Sequence, residues 1–346
     1  MTAWDPHLVE VADLGPELGE ASSFADRIAA FLAWQTARWP RLAEARAALA
    51  AVRVRPVQVA GRTLALQWNP GRAVSTTAKV DPAAVAQRPC FLCPQNLPTE
   101  EAGLAWGPSW VVLPNPAPIL DRHLVIAHRD HTPQDVTRAV EPLIGFAHQT
   151  AGTMTALYNG PRSGASAPDH LHLQAVAAGT LPEEQLVRAA IARGEVPGTV
   201  LHWGARGVAW TADDAGRSIV GFAGDPTWVR TELEAAIAAL GSVTSPSVGV
   251  EPQLNLLATG LGDGRVAALL FPRGAHRPAV FFADGPTQRV ISPGIIDMAG
   301  TVVAVREQDF DALDGPQLAA IFGEVTLSAA DRAAFEAKLS RRWSDG

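Results

Sequence analysis

The sequence predicts an α+β protein in which antiparallel sheets are flanked by helices. Three observations support this fold class. Strand-like and helix-like segments are mixed along the chain, neighbouring strands are joined by short hairpin-like connections, and the order of elements starts again after about residue 196. We therefore divide the chain into an N-terminal helical segment (residues 1–52), a first lobe (residues 53–195) and a second lobe (residues 196–346).

The first elements are helical and are followed by a hairpin. Residues 22–52 have apolar side chains at helical spacing, a serine suited to cap the first turn, and a break at Pro40. Residues 53–68 alternate around a glycine-containing turn, which predicts a β-hairpin. Residues 133–157 predict a helix that begins with a proline in its first turn. Further strands of the first lobe are predicted at WVVLP, HLVIAH and HLHLQAVAA.

The second lobe repeats this alternation of strands and helices. Its predicted strands are TVLHWG, GVAWTA, SIVGFAG, PQLNLLATGL, RVAALLFPRG, PAVFFADG and GTVVAVREQDF. Its predicted helices are DPTWVRTELEAAIAAL, DGPQLAAIFGEV and SAADRAAFEAKLSRRW. The similar order of elements suggests a pseudo-repeat, although no repeat is visible residue by residue.

Composition excludes several classes of partner. The chain of 346 residues is 47% hydrophobic and carries a formal net charge of −7, so broad electrostatic attraction to nucleic acid or to an anionic membrane is not expected. No run approaches the roughly 18 apolar residues of a membrane span. The first residues are acidic and lack the layout of a signal peptide, so we predict a cytoplasmic protein.

The two cysteines, Cys90 and Cys93, form a Cys-x-x-Cys pair. Two cysteines are too few for a disulfide framework, so the pair indicates a redox site, half of a metal site, or inert core cysteines. A redox pair is expected where a helix starts directly after a strand, whereas here a proline and a loop-like segment follow the second cysteine. The pattern favours a metal site or inert cysteines over a redox pair.

Two of the nine histidines stand close together in the run DHLHLQ, residues 169–174. Alternate residues of a strand lie on the same face, so His170, His172 and Gln174 are predicted to share one face, with the leucines buried on the other. Three neighbouring polar groups on one strand face need partners or a function.

The chemistry of this strand favours phosphoryl or nucleotidyl transfer. An unprotonated imidazole can attack phosphorus and form a covalent intermediate, which divides one displacement into two easier ones. The glycine-rich loop before the strand, residues 160–168, offers backbone N–H groups to phosphate. Ordinary structural histidines are the alternative, and the combination of two histidines, a glutamine and the loop argues against it.

At this point the chain resembles a known family. GASAPDHLHLQ is similar to the active-site strand of the branch of the histidine-triad superfamily in which glutamine replaces the third histidine. Galactose-1-phosphate uridylyltransferases, diadenosine tetraphosphate phosphorylases and GDP-hexose phosphorylases belong to this branch, as does a similar uncharacterised bacterial family. Other segments resemble these enzymes in the same chain order, over residues 55–325: WNPGRAVSTTAKV, CFLC, RHLVIAHRDHTPQ, LNLLATG, LLFPRGAHRP and SPGIIDMAGTVVAVREQDFDAL.

The resemblance implies two histidine-triad-like lobes, of which the first is catalytic and the second degenerate. It implies that His172 is the nucleophile that takes the nucleoside monophosphate and that Gln174 contacts the phosphoryl group. It also implies a structural zinc site. The metal ligands would be Cys90, Cys93, His131 and His170, which suit the preference of zinc for sulfur and nitrogen in a closed tetrahedron.

The third metal ligand is the least certain from sequence. His123 and His128 also lie near the motif, and we favour His131 because of its Asp-His-Thr-Pro context. The resemblance further implies a set of residues that bind the substrate. They are Arg72, Lys79, Asn115, Ser163, Ser166, Arg273, His276 and Arg277.

The implied activity is that of a nucleotidyltransferase of the phosphorylase type. It would cleave a GDP-hexose-like nucleotide sugar or a dinucleoside polyphosphate, with orthophosphate as acceptor. No organic cofactor is implied, and a homodimer is expected by analogy. A nucleotide hydrolase of the same superfamily and a non-catalytic nucleotide-binding protein are the alternatives, followed at a distance by a redox protein.

Two departures limit the resemblance. One extra residue, Asp169, stands between Pro168 and His170, which leaves open whether Ser163 or Ser166 meets the phosphate. The second lobe contains no His-x-His segment, so a second metal site of the uridylyltransferase type is not expected.

Overall fold

The computed structural model describes residues 3–15, 18, 22–77, 81–244 and 250–344. Its strands are β1 (Arg53–Val59), β2 (Arg62–Trp68), β3 (Leu104–Trp106), β4 (Trp110–Pro114), β5 (Leu124–His128), β6 (Met154–Asn159), β7 (His172–Ala177), β8 (Thr199–Gly204), β9 (Gly207–Asp214), β10 (Arg217–Gly224), β11 (Leu254–Gly260), β12 (Val266–Pro272) and β13 (Thr301–Ala304).

Its helices are α1 (Val11–Leu14), α2 (Phe24–Arg38), α3 (Pro40–Ala50), α4 (Ala73–Thr76), α5 (Pro82–Ala86), α6 (Val136–Gln149), α7 (Pro182–Ala192), α8 (Pro226–Thr244), α9 (Ala279–Phe282), α10 (Ile295–Met298), α11 (Glu307–Ala312), α12 (Gly315–Val325) and α13 (Ala329–Ser344). Short 3₁₀ helices span Asp5–His7, Pro70–Arg72, Pro94–Asn96 and Gly285–Thr287. None of the described helices is long and apolar enough to cross a membrane.

The main sheet has the strand order β3-β4-β5-β7-β6-β11-β12-β10-β9-β8, and every pairing in its described residues is antiparallel. The first five strands of this order come from residues 53–195 and the last five from residues 196–346. Each half places its strands in the same relative order, with a helix, α6 or α8, before its innermost strand. The similar order of elements predicted for the two halves thus corresponds to a similar arrangement of strands in the sheet.

A smaller sheet packs beside the main one and joins the two halves. The hairpin β1–β2 turns at Ala60 and Gly61, which have φ angles of 47° and 86°. Strand β13 from the second half pairs with β2 in parallel. This single parallel pairing is the one departure from the predicted antiparallel sheets in the described residues, and the predicted α+β class is confirmed.

The core lies on both faces of the main sheet. On one face, α2, α6, α8 and α13 bury side chains such as Phe31, Phe146, Val229 and Phe335. The other face is covered by the smaller sheet with α7, α10 and α12, and in part by the segment that contains the two cysteines. The candidate site described below lies on this second face.

One predicted helix is too long, and one predicted strand is a helix. The helix predicted over 133–157 ends at Gln149, because Ala151 and Gly152 take positive φ angles of 48° and 84° and the chain reverses into β6. The run PAVFFADG forms the short helix α9 instead of a strand, with Phe282 67% exposed. In both cases the apolar run fits the periodicity of a helix and that of a strand, and tertiary packing determines which of the two forms.

Candidate active site and metal-binding cluster

Strand β7 lies in the first half of the main sheet, between β5 and β6. His172 and Gln174 lie on its site-bearing face, while Leu171 and Leu173 are completely buried against α6 and its neighbours. This is the alternation that the sequence predicts. His170, which was expected on the same strand face, lies instead in a bend just before the strand begins.

The ring of His172 is fixed by its own backbone. Its Nδ1 lies 2.8 Å from the carbonyl oxygen of His170, so Nδ1 carries the proton and donates it, and Nε2 holds the lone pair. The side chain is only 4% exposed. Burial lowers the pKa of His172 to about 4, although the hydrogen bond to His170 acts in the opposite direction. The structure therefore presents a neutral imidazole whose free nitrogen is Nε2.

Gln134 holds the backbone at this point. Its Oε1 accepts the N–H of His172 at 2.9 Å, and its Nε2 donates to the carbonyl oxygens of His172 at 3.0 Å and of Asn159 at 2.9 Å. The side chain is 6% exposed, so these bonds are shielded from water. The strand that carries His172 is thereby locked to the segment before α6 and to β6.

Gln174 is oriented by His123. The Nδ1 of His123 accepts the backbone N–H of Ile119 at 3.0 Å, which leaves the proton on Nε2. That Nε2–H donates to Oε1 of Gln174 at 2.8 Å. Burial, with a contribution from Arg72, lowers the pKa of His123 to about 3, so the ring is neutral. Because Oε1 of Gln174 accepts this hydrogen bond, its NH₂ group is available to other partners.

Four side chains form a compact cluster behind the active strand. The sulfur of Cys90 lies 3.4 Å from Nδ1 of His170, and the sulfur of Cys93 lies 3.2 Å from Nδ1 of His131 and 3.6 Å from that of His170. All four ligand atoms lie within 4.8 Å of one another. Tetrahedral zinc bonds of 2.0–2.3 Å give ligand–ligand edges of about 3.5 Å, so the spacing fits such an ion.

The donor set also fits a metal ion in its protonation. Nε2 of His170 donates to the carbonyl oxygen of His128 at 2.7 Å, so Nδ1 directs its lone pair at the sulfurs. Burial raises the pKa of the Cys90 thiol to about 12. A divalent cation among two thiols and two imidazoles would stabilise the thiolates that burial disfavours. His123 and His128 are not part of the cluster that the described residues form.

A cavity of about 770 Å³ opens over the site-bearing face of β7, β5 and β4. His172 and Gln174 lie in its wall together with Asn115. Much of the remaining surface is apolar or aromatic and is contributed by Trp39, Val74, Phe91, Leu92, Leu113, Pro114, Pro116 and Val125. Phe91 and Leu92 belong to the Cys-x-x-Cys segment, so the metal-binding cluster also shapes this cavity.

A second, smaller chamber of about 70 Å³ adjoins the first. Arg72, Ser166 and Gln174 line both spaces, and the second half of the chain adds His276 and Arg277. Burial lowers the pKa of Arg72 to about 10, so the guanidinium stays charged at neutral pH. The chamber also contains the carboxylate of Asp297, whose oxygens accept the N–H groups of Gly294 and Val303.

The other residues predicted to bind substrate do not all line the two spaces. Asn115 is buried, and its Oδ1 accepts the N–H of Ala117 at 3.0 Å. Ser163 is completely buried below the glycine-rich loop and does not line either space, whereas Ser166 lines both. Lys79 lies outside the described residues.

Arg273 lies away from both cavities. It is 1% exposed, and its guanidinium donates to Oδ1 of Asn255 at 2.6 Å. Its other bonds go to the carbonyl oxygens of Val325, Pro293, Ala275 and His276. Its contacts therefore hold the loop that carries His276 and Arg277.

The second half of the sheet has no equivalent of the catalytic pair. By strand register, Leu269 of β12 occupies the position that matches Gln174, and Ala267 occupies the position that matches His172. These two side chains are buried in the core. One candidate active site per chain follows, as far as the described residues go.

Sequence reasoning did not identify Gln134 and His123 as residues that position His172 and Gln174. Gln134 stands in the segment HTPQ, where a lone glutamine before a helix gives no signal of its function. His123 was considered only as a metal ligand. Its position one residue before β5, which pairs with β7, is the signal that could have placed it beside Gln174.

Comparisons with known proteins give one family match and several similar folds. Residues 31–177, which include both the cysteine pair and β7, match a family described as a domain of unknown function, DUF4922. No curated protein sequence is significantly similar to the chain.

Among solved structures, the chain is similar to the yeast Ap4A phosphorylase Apa2. The likeness has 14% identity, covers 86% of this chain and 97% of the yeast chain, and has a TM-score of 0.54. The same enzyme in complex with Ap4A matches over the same shares with 12% identity and a TM-score of 0.52. Its complex with AMP matches with 15% identity and a TM-score of 0.50. The chain thus has the fold of this Ap4A phosphorylase, as its motif resemblance predicts.

Proposed function

We propose that the protein is a nucleotidyltransferase of the phosphorylase type that works through a covalent nucleotidyl-His172 intermediate. The observation that carries the proposal is the hydrogen bond from Nδ1 of His172 to the carbonyl of His170. It fixes a neutral tautomer whose Nε2 is available on the cavity side. A similar yeast fold, solved with Ap4A and with AMP, supports a nucleotide as substrate.

The first step forms one bond and breaks one. The lone pair on Nε2 attacks the α-phosphorus, and the bond from that phosphorus to the bridging oxygen of the leaving group breaks, so the electron pair leaves with the leaving phosphate. In the second step an oxygen of orthophosphate attacks the same phosphorus. The nitrogen–phosphorus bond then breaks, and its electron pair returns to Nε2.

Gln174 would stabilise the charge that develops on phosphorus. His123 occupies its Oε1, so its NH₂ group is the part available to a non-bridging phosphate oxygen. Arg72 lines both spaces and would place positive charge beside the same oxygens. Asn115, which also lines the large cavity, would contact the nucleoside.

The two adjoining spaces suit the two reactants. The cavity of about 770 Å³ has room for a nucleoside and its leaving group, and its walls are mostly apolar. The chamber of about 70 Å³ has the size for one small anion and contains the guanidinium groups of Arg72 and Arg277 beside the Asp297 carboxyl, so we assign orthophosphate to it. Ser166, His276 and Arg277 would contact this anion, with Arg273 as a positioning residue for their loop.

We further propose that zinc occupies the cluster of Cys90, Cys93, His131 and His170. Bound there, a closed four-coordinate ion contributes structural stability and leaves no open position for substrate. The residues of the cluster hold the His170 carbonyl in place and thereby orient the ring of His172.

The test is intact-protein mass spectrometry after brief incubation without phosphate. The donors are GDP-glucose, GDP-mannose, UDP-glucose, ADP-glucose and diadenosine tetraphosphate. Wild type, His172→Ala and a matched control, the exposed His148→Ala, are compared. We expect a mass gain of one nucleoside monophosphate in wild type and control, absent from His172→Ala and lost when phosphate is added.

Other outcomes separate the rival functions. An adduct that decays without phosphate at the same rate as with it would indicate a hydrolase. Saturable nucleotide binding without any adduct would indicate a non-catalytic binding protein. An adduct on His172→Ala would mean that another residue is the nucleophile.

A further inference from the structure

A buried carboxyl group lies in the large cavity and has no part in the proposed chemistry. Glu101 is 6% exposed and lines the cavity, and its carboxylate has no hydrogen-bond partner among the described residues. The nearest charge that acts on it is that of Arg41, which lines the same cavity. Burial raises the pKa of Glu101 to about 8. An acceptor buried without donors is costly, and a guest that supplies N–H groups would offset that cost.

Strand register gives the width of the cavity floor between Gln174 and the segment that leads from Glu101 into β3. Gln174 pairs with Val125, and Val125 pairs with Leu113 on β4. The register of β3 and β4 places Gly103 opposite Leu113. Three strand spacings of about 4.8 Å make this row about 14 Å long. Glu101 stands two residues before Gly103, in the segment that leads into β3, and it lines the same cavity as Gln174.

The floor between these two ends is apolar and suits a flat ring. Val125 and Leu113 form it, and Trp39 and Phe91 add aromatic surface. Phe91 is 46% exposed and has the guanidinium of Arg88 over its ring at 5.0 Å. A nucleoside whose α-phosphate meets His172 would extend its base over this floor towards Glu101.

The far end offers a specific hydrogen-bond pattern. Above its pKa of about 8, Glu101 is a carboxylate that accepts two parallel N–H bonds, and a neighbouring guanidinium donates to an oxygen. Guanine presents two adjacent donors, N1–H and N2–H, beside the acceptor O6. Adenine presents a single donor beside the acceptor N1, and uracil presents one donor between two carbonyl oxygens. Only guanine satisfies both carboxylate oxygens and the arginine together.

We propose that Glu101, with Arg41, selects guanine as the base of the nucleotide substrate. This inference rests on the proposed function, because it takes His172 and Gln174 as the phosphate end of the cavity. It names a specificity-determining residue and narrows the donor to a guanosine diphosphate or polyphosphate derivative.

The test is isothermal titration calorimetry of the zinc-loaded protein with GMP, IMP, AMP and UMP at pH 8.5, where Glu101 is ionised. We expect GMP to bind at least about tenfold more tightly than AMP or UMP, because a good bidentate contact gives discrimination of that order. IMP, which lacks the N2 amino group, should lie between them. In Glu101→Gln the preference for GMP over AMP should fall about tenfold or more, while binding of AMP changes little.

The matched control is Glu100→Gln, an exposed neighbour, which should keep the preference for GMP. AMP or UMP binding as tightly as GMP would overturn the inference, as would an equal loss for all nucleotides in Glu101→Gln. Thermal unfolding of each variant reports its folding. Mononucleotide binding needs no chemistry, so a failure here is distinct from a failure of adduct formation. An adduct formed preferentially from an adenine or uracil donor would reject guanine selection and keep the proposed function.

Discussion

The carbonyl oxygen of His170 accepts the ring Nδ1–H of His172 at 2.8 Å, while the ring Nδ1 of His170 faces the sulfur of Cys90 at 3.4 Å. One residue therefore contacts both the metal-binding cluster and the proposed nucleophile. The two histidines of the motif make different contacts, although their spacing places them at equivalent positions of a predicted strand. The predictions below follow from this arrangement and from the contacts around it.

The first prediction concerns metal content. Wild-type protein should contain about one zinc per chain, and Cys93→Ser should contain much less and unfold at a lower temperature, because the cluster loses a thiolate ligand. Elemental analysis by mass spectrometry and thermal unfolding measure the two effects, with His148→Ala as the control. A metal-free wild type as stable as the variant would contradict the zinc proposal.

The second prediction concerns Gln134. Gln134→Leu should destabilise the protein by about 2–4 kcal/mol, because it leaves the N–H of His172 and two carbonyl groups without buried partners. Urea unfolding measures the change. The exposed Gln185→Leu is the control and should stay within about 0.5 kcal/mol of wild type. Equal losses of stability in the two variants would show that the hydrogen bonds of Gln134 contribute no more to stability than an exposed glutamine does.

The third prediction concerns the orientation of Gln174. His123→Phe should slow adduct formation about tenfold or more, with little change in nucleotide affinity, because Gln174 loses the donor that fixes its amide. Single-turnover rates and separate binding measurements divide the two effects. His123→Gln, which can donate again, should recover part of the rate. A change in affinity alone would indicate a role in binding instead.

The fourth prediction concerns pH. The pKa of Glu101 rises from 4.5 to about 8 on folding, because burial favours the neutral carboxyl. The stability that this group contributes is therefore fully present below pH 4.5 and is lost as the pH rises to about 8. Glu101→Gln lacks this loss, so its stability relative to wild type should increase between pH 5.5 and pH 8.5.

Urea unfolding at those two pH values tests the Glu101 prediction, with Glu100→Gln as the control. A stability difference between wild type and Glu101→Gln that stays constant with pH would mean that Glu101 ionises normally in the folded protein.

The fifth prediction concerns Arg273. Arg273→Lys should destabilise the protein by about 2–4 kcal/mol, because an ammonium has three donors and cannot reach the acceptors that the planar guanidinium contacts. Urea unfolding measures the loss, with the 62%-exposed side chain of Arg206, changed to lysine, as the control. A stability change no larger than that of the Arg206 control would contradict a structural role for these hydrogen bonds.

Much of the fold was predictable because its signals are local. The capping box of Ser23 and Asp26, the break at Pro40 and the alternation in β1 and β2 each depend on a few neighbouring residues. The reversal at Ala151 and Gly152 was not predictable, because the apolar run of β6 is interpreted correctly only when its partners β7 and β11 are known. The order of the ten strands is likewise a property of pairing between distant segments.

The candidate site divides in the same way. The set of Cys90, Cys93, His131 and His170 was expected from the family resemblance, and the structure brings these four side chains together. In the sequence, Arg273 is a basic residue in a loop and was therefore predicted to bind substrate. In the structure it binds carbonyl oxygens that are distant in the chain, which sequence alone cannot reveal. Glu101 gave no signal, because a single glutamate before a short strand is ordinary until the cavity around it is visible.

The pairing of β6 with β11 has a mechanical consequence. Five residue pairs, from Thr155–Thr259 to Asn159–Asn255, join the two halves as neighbours in one sheet. A protein of two separate bodies can admit its substrate by rotating one body about a hinge. Here such a rotation would break the hydrogen bonds between these strands, so the halves behave as a single rigid frame. Access to His172 therefore does not require the two halves to separate, and among the described residues the cavity that contains it is lined by the N-terminal segment and the first half alone.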